Sequence, residues 1–130
     1  DLDEAAKRLR TVAESSRDPE LRLIAQSRLA RVLSEQGKHD DALKLLDVAT
    51  AGSFTPVFHE IRGDVLAAKG DVAGARQAYD AALAATASVQ AQAFDREYVE
   101  LKRDALPATV AAAAAVAAPS ADAPVAGAKP

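Results

Sequence analysis

The stretch "GDVLAAKGDVAGARQAYDAAL", residues 63–83, has a pattern that also occurs upstream in "RLARVLSEQGKHDDALKLLD", residues 28–47. In each stretch a small residue is followed after seven positions by glycine, then after five by alanine and after four by a large residue. Sequence similarity at a fixed offset of this length is typical of repeated helix pairs. We therefore predict an all-α array of antiparallel helix pairs. The matching positions, 33 residues apart, are Ala30 with Gly63, Gly37 with Gly70, Ala42 with Ala75, and Leu46 with Tyr79.

The glycines of this pattern have different predicted roles. Gly37 and Gly70 each follow a helical run, where the left-handed conformation of a helix C-cap favours glycine. Gly63 falls inside a run, at a position where two helices cross too closely for a side chain. Gly74 falls in the first turn of the next helix, where we expect it only to lower stability.

Local signals predict about six helices. Asp18 is an expected N-cap, with Pro19 at the first helical position, and Thr55 with Pro56 repeats this arrangement. Asp71 is the expected N-cap of the fifth helix. The last helix has Phe94, Tyr98, Leu101 and Leu106 as its large apolar residues, and Pro107 ends it. The predicted ranges are 1–15, 19–36, 40–49, 56–70, 72–85 and 88–105.

Composition limits the class of protein. The chain has 130 residues, enough for one domain, with no Cys, Met or Trp and only two Tyr and three Phe. Its core must therefore consist mainly of Ala, Leu and Val, which allow close helix packing. The net charge of -3 comes from interleaved charges, without the basic stripe of a nucleic-acid-binding surface. We predict a tetratricopeptide-like helical domain over residues 1–106 and an Ala/Pro-rich flexible tail over 107–130.

The residues give no pattern for catalysis, a cofactor or a metal. His39 and His59 are the only histidines, and neither belongs to a pair at metal-binding spacing. Asp40, Asp41 and Asp71 fall at predicted helix N-termini, where negative charge is stabilising. We therefore predict a protein that is not an enzyme and that has no cofactor.

Function then depends on surfaces that contact other proteins. In an array of helix pairs, the first helix of each pair lines a concave face that can bind a protein segment. Arg31 and Asp64 could instead simply pair across units. A second candidate is the face of the first helix, where we expect Leu2, Ala6, Leu9 and Ala13 to be partly bare. The predicted concave-face residues are Ser27, Arg31, Ser34, Glu35, Glu60, Asp64 and Ala67.

The repeat positions resemble the tetratricopeptide repeat, which has small residues at positions eight and twenty, glycine at fifteen and a large residue at twenty-four. The offset here is 33 residues rather than 34. Gln26 and His59 replace a usual aromatic residue, and Arg62 replaces a usual leucine. These departures describe degenerate repeats, which identify an architecture and no particular partner.

A closer resemblance covers residues 1 to about 106. The segments "DLDEAAKRL", "FHEIRGDVLAAKGDVAGARQAYDAAL" and "YVELKRDAL" are similar to the periplasmic domain of the YfgM-type ancillary subunit of the bacterial Sec translocon. This resemblance implies an inner-membrane protein whose domain faces the periplasm and whose partners are translocon subunits, a periplasmic chaperone and emerging secreted chains. Since the first residue is Asp1, we expect a fragment or a processed product, and the resemblance implies one N-terminal membrane anchor in the full-length protein. A cytoplasmic tetratricopeptide scaffold in an unrelated complex is the alternative.

Overall fold

A computed structural model describes residues 1–86 and 94–108. Within these residues the secondary structure is helical and contains no strand, which confirms the predicted all-α class. Successive helices pack side by side, with the most extensive pairings between α1 and α2 and between α4 and α5. The α-helices are α1 (Leu2–Ser15), α2 (Pro19–Glu35), α3 (His39–Lys44), α4 (Thr55–Lys69), α5 (Val72–Ala85) and α6 (Arg96–Asp104).

The predicted helix boundaries are correct where local chemistry is strong. The Asp18 carboxylate accepts hydrogen bonds from the backbone N–H groups of Glu20 and Leu21, at 2.9 and 3.3 Å, and so caps α2. Asp71 caps α5 in the same way. Gly37 and Gly70 have φ angles of 79° and 93°, the left-handed conformation expected after a helix.

The third predicted helix is too long. Helix α3 ends at Lys44, and a 3-10 turn, Val48–Thr50, includes only the last two residues of the predicted range. Two features accompany this early end. First, the Arg62 guanidinium donates to the carbonyl oxygens of Leu43 and Leu46, both at 3.4 Å. The Asp47 carboxylate then accepts from the N–H of Ala49 and starts the 3-10 turn.

Thr55 is not the N-cap of α4, as the sequence predicted. A second 3-10 turn, Gly52–Phe54, leads directly into the helix, so that Phe54 is the capping residue and makes no side-chain capping bond. The Thr55 hydroxyl donates backwards instead, to the carbonyl oxygen of Gly52 at 2.7 Å. Pro56 lies in the first turn of α4, as predicted.

The sixth helix also differs from its predicted range. It begins at Arg96, because the Asp95 carboxylate caps it by accepting from the N–H of Tyr98 at 3.0 Å. Residues 88–93 of the prediction lie outside the described residues, as does the predicted flexible tail beyond residue 108. The side chain that α6 buries completely is Val99, whereas Tyr98 and Leu101 are 51% and 64% exposed. Tyr98 and Leu101 were therefore a poor guide to its packed face, whereas Phe94 and Leu106, which flank the helix, pack against the smaller core cluster.

The core forms two clusters of mainly aliphatic side chains. The larger cluster lies between α2, α3 and α4 and includes Leu29, Leu46 and Phe58. The smaller one lies between α5 and α6 and includes Tyr79, Leu83 and Val99. Alanines fill the remaining space, and Ala30, Ala42, Ala75 and Ala82 are completely buried.

Helices α4 and α5 cross at Gly63, as predicted. A Cβ atom placed on Gly63 would lie 2.5 Å from Cε1 of Tyr79. The prediction for Gly74 is incomplete, because a Cβ atom there would collide with the Asp71 carboxylate that caps α5. Glycine at this position therefore leaves room for the cap, beyond its cost in helix propensity.

Candidate partner-binding site

The Asp64 carboxylate joins four helices. Its Oδ2 atom pairs with Nη1 of Arg31 from α2 at 2.9 Å. Its Oδ1 atom accepts a 2.6 Å hydrogen bond from the Tyr79 hydroxyl of α5. The same oxygen lies 2.8 Å from Nζ of Lys102 on α6. Both oxygens of Asp64 are thus engaged by residues that lie far apart in the sequence.

Lys102 is held by a second carboxylate and by two aromatic rings. Its Nζ atom lies 2.7 Å from Oε2 of Glu60, whose side chain is 9% exposed. The same atom lies 5.4 Å from the ring centre of Tyr79 and 4.6 Å from that of Tyr98, within the range of cation–π attraction. Burial raises the pKa of the Tyr79 phenol, and the hydrogen bond to Asp64 raises it further. Tyr79 is therefore a hydrogen-bond donor here, not a source of negative charge.

A shallow groove of about 170 Å³ separates α2 from α4 next to this cluster. Ile61 and Val65, each 1% exposed, form its apolar base. Four of the seven predicted concave-face residues line it: Arg31, Ser34, Glu35 and Asp64. Glu35 is exposed and has no ion-pair partner in the described parts of the chain. The groove therefore combines an apolar base with charges at its edge.

The other three predicted residues do not line this groove. Glu60 is buried beneath Lys102, and Ala67 is half-buried against the smaller cluster. The Ser27 hydroxyl donates to the carbonyl oxygen of Ile24 within its own helix. Glu60 is therefore not accessible on the predicted concave face, because its carboxylate is already paired with a lysine of the same chain.

Lys102 and Tyr98 were not among the predicted site residues. Lys102 lies 42 residues from Glu60 and 38 residues from Asp64 along the chain, so no local pattern relates them. The one available signal was the i, i+4 spacing of Glu60 and Asp64, which places two carboxylates on the same face of α4. Such a pair favours a nearby cation, and the sequence does not say which residue provides it.

The first helix is less bare than predicted. Ala6 is buried, and Leu9 packs against the larger core cluster. Ala13 is half-buried, which leaves Leu2, 40% exposed, as the main apolar side chain of α1 on the surface. Most of the predicted bare face therefore packs against the domain itself.

The two histidines lie on different helices, His39 on α3 and His59 on α4. The Nδ1 atom of His39 lies 3.2 Å from the Ser34 hydroxyl, and burial together with the charge of Arg62 lowers the pKa of His59. No cluster of three or more His, Cys, Asp or Glu side chains suited to a metal ion occurs in residues 1–86 and 94–108. Over the same residues, none of the helices combines the length and the hydropathy needed to cross a membrane.

The fold is that of a helical-repeat protein. Its helices are paired, glycines follow the ends of two of them, and a groove lies between the first helices of two units. The tetratricopeptide repeat-like domain family matches residues 1–108, and the chain belongs to this family. Among curated proteins it is similar to the ancillary SecYEG translocon subunit of Escherichia coli K12, with 35% identity over 81 residues, 62% of this chain and 39% of that protein. The protein of the same name from Neisseria gonorrhoeae is 33% identical over 104 residues, 80% of this chain and 48% of that protein.

The chain thus spans less than half the length of either relative. Both relatives have the name that the resemblance of "YVELKRDAL" and the other segments pointed to. No solved structure matches the chain significantly.

Proposed function

We propose that this domain is a non-catalytic protein-interaction module of an inner-membrane protein that associates with the Sec translocon, and that the domain faces the periplasm. Its proposed partners are translocon subunits, a periplasmic chaperone and emerging secreted chains. The names of the two relatives support the translocon association, and membership of a tetratricopeptide-like family supports a role in protein binding.

The groove between α2 and α4 is the observation that carries this proposal. Arg31 uses one guanidinium nitrogen for Asp64, and its side chain is 48% exposed, so further N–H donors can reach a partner carboxylate. Glu35 is exposed for a partner cation, and Ile61 and Val65 offer apolar contact. We infer that the groove binds a short helical or extended protein segment with both apolar and charged side chains.

The proposal is tested by crosslinking and pull-down of the full-length protein from membranes. Glu35→Lys and Arg31→Gln should each reduce recovery of translocon subunits or chaperone, and added salt should reduce it for the unaltered protein, because charges at a groove edge act through screened electrostatics. Glu14→Lys is the matched control, since Glu14 is an exposed carboxylate on α1 that does not line the groove. Circular dichroism establishes that each variant is folded.

The outcomes separate the groove from the other candidates. Full recovery of the partners by both groove variants would exclude the groove as the binding site. Loss of recovery with Leu2→Asp alone would assign binding to α1 instead. Recovery of an unrelated cytoplasmic complex by the unaltered protein, without translocon components, would support the alternative of a cytoplasmic scaffold.

A further inference from the structure

Helix α6 is attached to the domain mainly by polar contacts. Val99 is its one completely buried side chain in the described residues. The remaining attachments are charged. Lys102 binds the Glu60 and Asp64 carboxylates, Arg103 pairs with Asp80 at 3.1 Å, and the Arg96 guanidinium donates to the carbonyl oxygen of Leu83 at 2.9 Å.

A helix of this length depends on its surroundings. Helix α6 has nine residues, and isolated helices shorter than about 12 to 15 residues are marginal in water. Its exposed ion pair with Asp80 contributes little, because solvent and salt screen such pairs. The contacts of Lys102 and Val99, and the bonds of Arg96 to the end of α5, are therefore the main attachments of α6. Phe94 and Leu106, which flank the helix, add partly buried apolar contacts with the smaller core cluster.

We propose that α6 is a displaceable internal ligand. The surface beneath it, formed by Glu60, Asp64 and Tyr79, also binds a short amphipathic helix of a partner protein that presents a lysine three residues after an aliphatic residue. This is the arrangement of Val99 and Lys102 in α6 itself. The partner lysine enters the position of Nζ between the two carboxylates and above the Tyr79 ring, and α6 leaves.

This inference deepens the proposed function, on which it rests for the idea that the domain binds protein segments. It concerns the surface under α6 and not the groove beside it, although both include Asp64. While α6 is docked, the affinity measured for a partner helix is reduced in proportion to the small fraction of molecules with a vacant surface. Loosening α6 must therefore strengthen partner binding.

The test uses the purified 130-residue chain and a fluorescent peptide of residues 94–106, "FDREYVELKRDAL". Lys102→Gln and Arg96→Gln in the protein should each lower the apparent Kd of the peptide by about tenfold or more, because the docked fraction of α6 falls. Lys69→Gln is the matched control: its lysine pairs with Asp40 at 2.7 Å on an exposed surface, and the change in charge is the same as for Lys102→Gln. A peptide with glutamine in place of its lysine should not bind.

Hydrogen exchange on the same samples reports whether α6 is released. Faster exchange over residues 96–104, with α2, α4 and α5 unchanged, is expected for both variants. Release of α6 without peptide binding would overturn the proposal, as would equal peptide affinity for the unaltered chain and both variants. Unchanged protection of α6 in both variants would also overturn it, because these contacts would then not hold the helix. Since the assay contains no translocon component, its failure leaves the proposed function standing.

Discussion

Gly63→Ala tests the helix crossing on which the repeat depends. The added Cβ atom would lie 2.5 Å from Cε1 and 2.6 Å from Cδ1 of Tyr79. Ordinary contact requires about 3.4 Å, so the ring must move by roughly 0.9 Å. Tyr79 is 3% exposed and is surrounded by the smaller core cluster, so this displacement meets packed neighbours.

The expected loss of stability has three parts. Overpacking a core of this kind costs about 1 to 3 kcal/mol. Moving the ring also breaks the 2.6 Å hydrogen bond from the Tyr79 hydroxyl to Asp64, and a bond to a charged acceptor contributes about 1.5 to 3 kcal/mol. The better helix propensity of alanine than of glycine offsets about 1 kcal/mol of this loss in stability. The net expectation is a loss of roughly 1.5 to 5 kcal/mol in the free energy of unfolding.

Urea and thermal unfolding followed by circular dichroism measure this loss. A decrease of 2 kcal/mol corresponds to a fall in Tm of about 8 °C or more for a domain of this size. Tyr79→Ala removes the ring, so Gly63→Ala should cost much less in that background, and the difference is the coupling energy of the pair. Unchanged stability in the single variant, or an equal cost in both backgrounds, would refute the close crossing.

Three further predictions concern other parts of the domain. Asp18→Ala should lower the free energy of unfolding by about 1 kcal/mol in urea titrations, with Asp18→Asn costing less, because the side chain caps α2. The raised pKa of Tyr79 means that the contribution of its phenol is complete below the unfolded value of about 10 and is lost as the pH rises above it. The stability difference between the unaltered chain and Tyr79→Phe should therefore shrink between pH 8 and pH 11, and a constant difference would contradict this sign. Deletion of residues 109–130 should leave thermal stability unchanged, and a fall in Tm of several degrees would show that the segment packs on the domain.

The parts of the fold that the sequence predicts are those in which adjacent residues determine the structure. Asp18 with Pro19 starts α2 through bonds that span three residues, and Gly37 and Gly70 end helices because of their own backbone freedom. The repeat offset then relates two such units without knowledge of their contacts. These signals were sufficient for the class of fold and for most helix boundaries.

The incorrect predictions concern structural features that depend on contacts between residues far apart in the sequence. At the early end of α3, Arg62 on another helix donates to the carbonyl oxygens of Leu43, in the last turn, and Leu46, just beyond it. Glu60 was predicted to line the concave face. The structure buries it instead, because Lys102 of the distant helix α6 covers it. Predicting either feature requires knowledge of how the helices are positioned relative to one another. The spacing of residues within one helix does not provide this information. The groove was more predictable, since Arg31 and Glu35 belong to one turn of α2.

The four-helix junction at Asp64 has a consequence for how this domain can vary. In a regular repeat array each unit contacts only its neighbours, so units can be added, removed or exchanged with approximately additive effects on stability. Here one carboxylate binds α2 of the first unit, α5 of the second and α6 beyond it. Inserting a unit between α2 and α4 would leave Arg31 without Asp64, and removing α6 would leave Glu60 without a cation. The units around Asp64 therefore cannot be separated or exchanged without breaking these contacts.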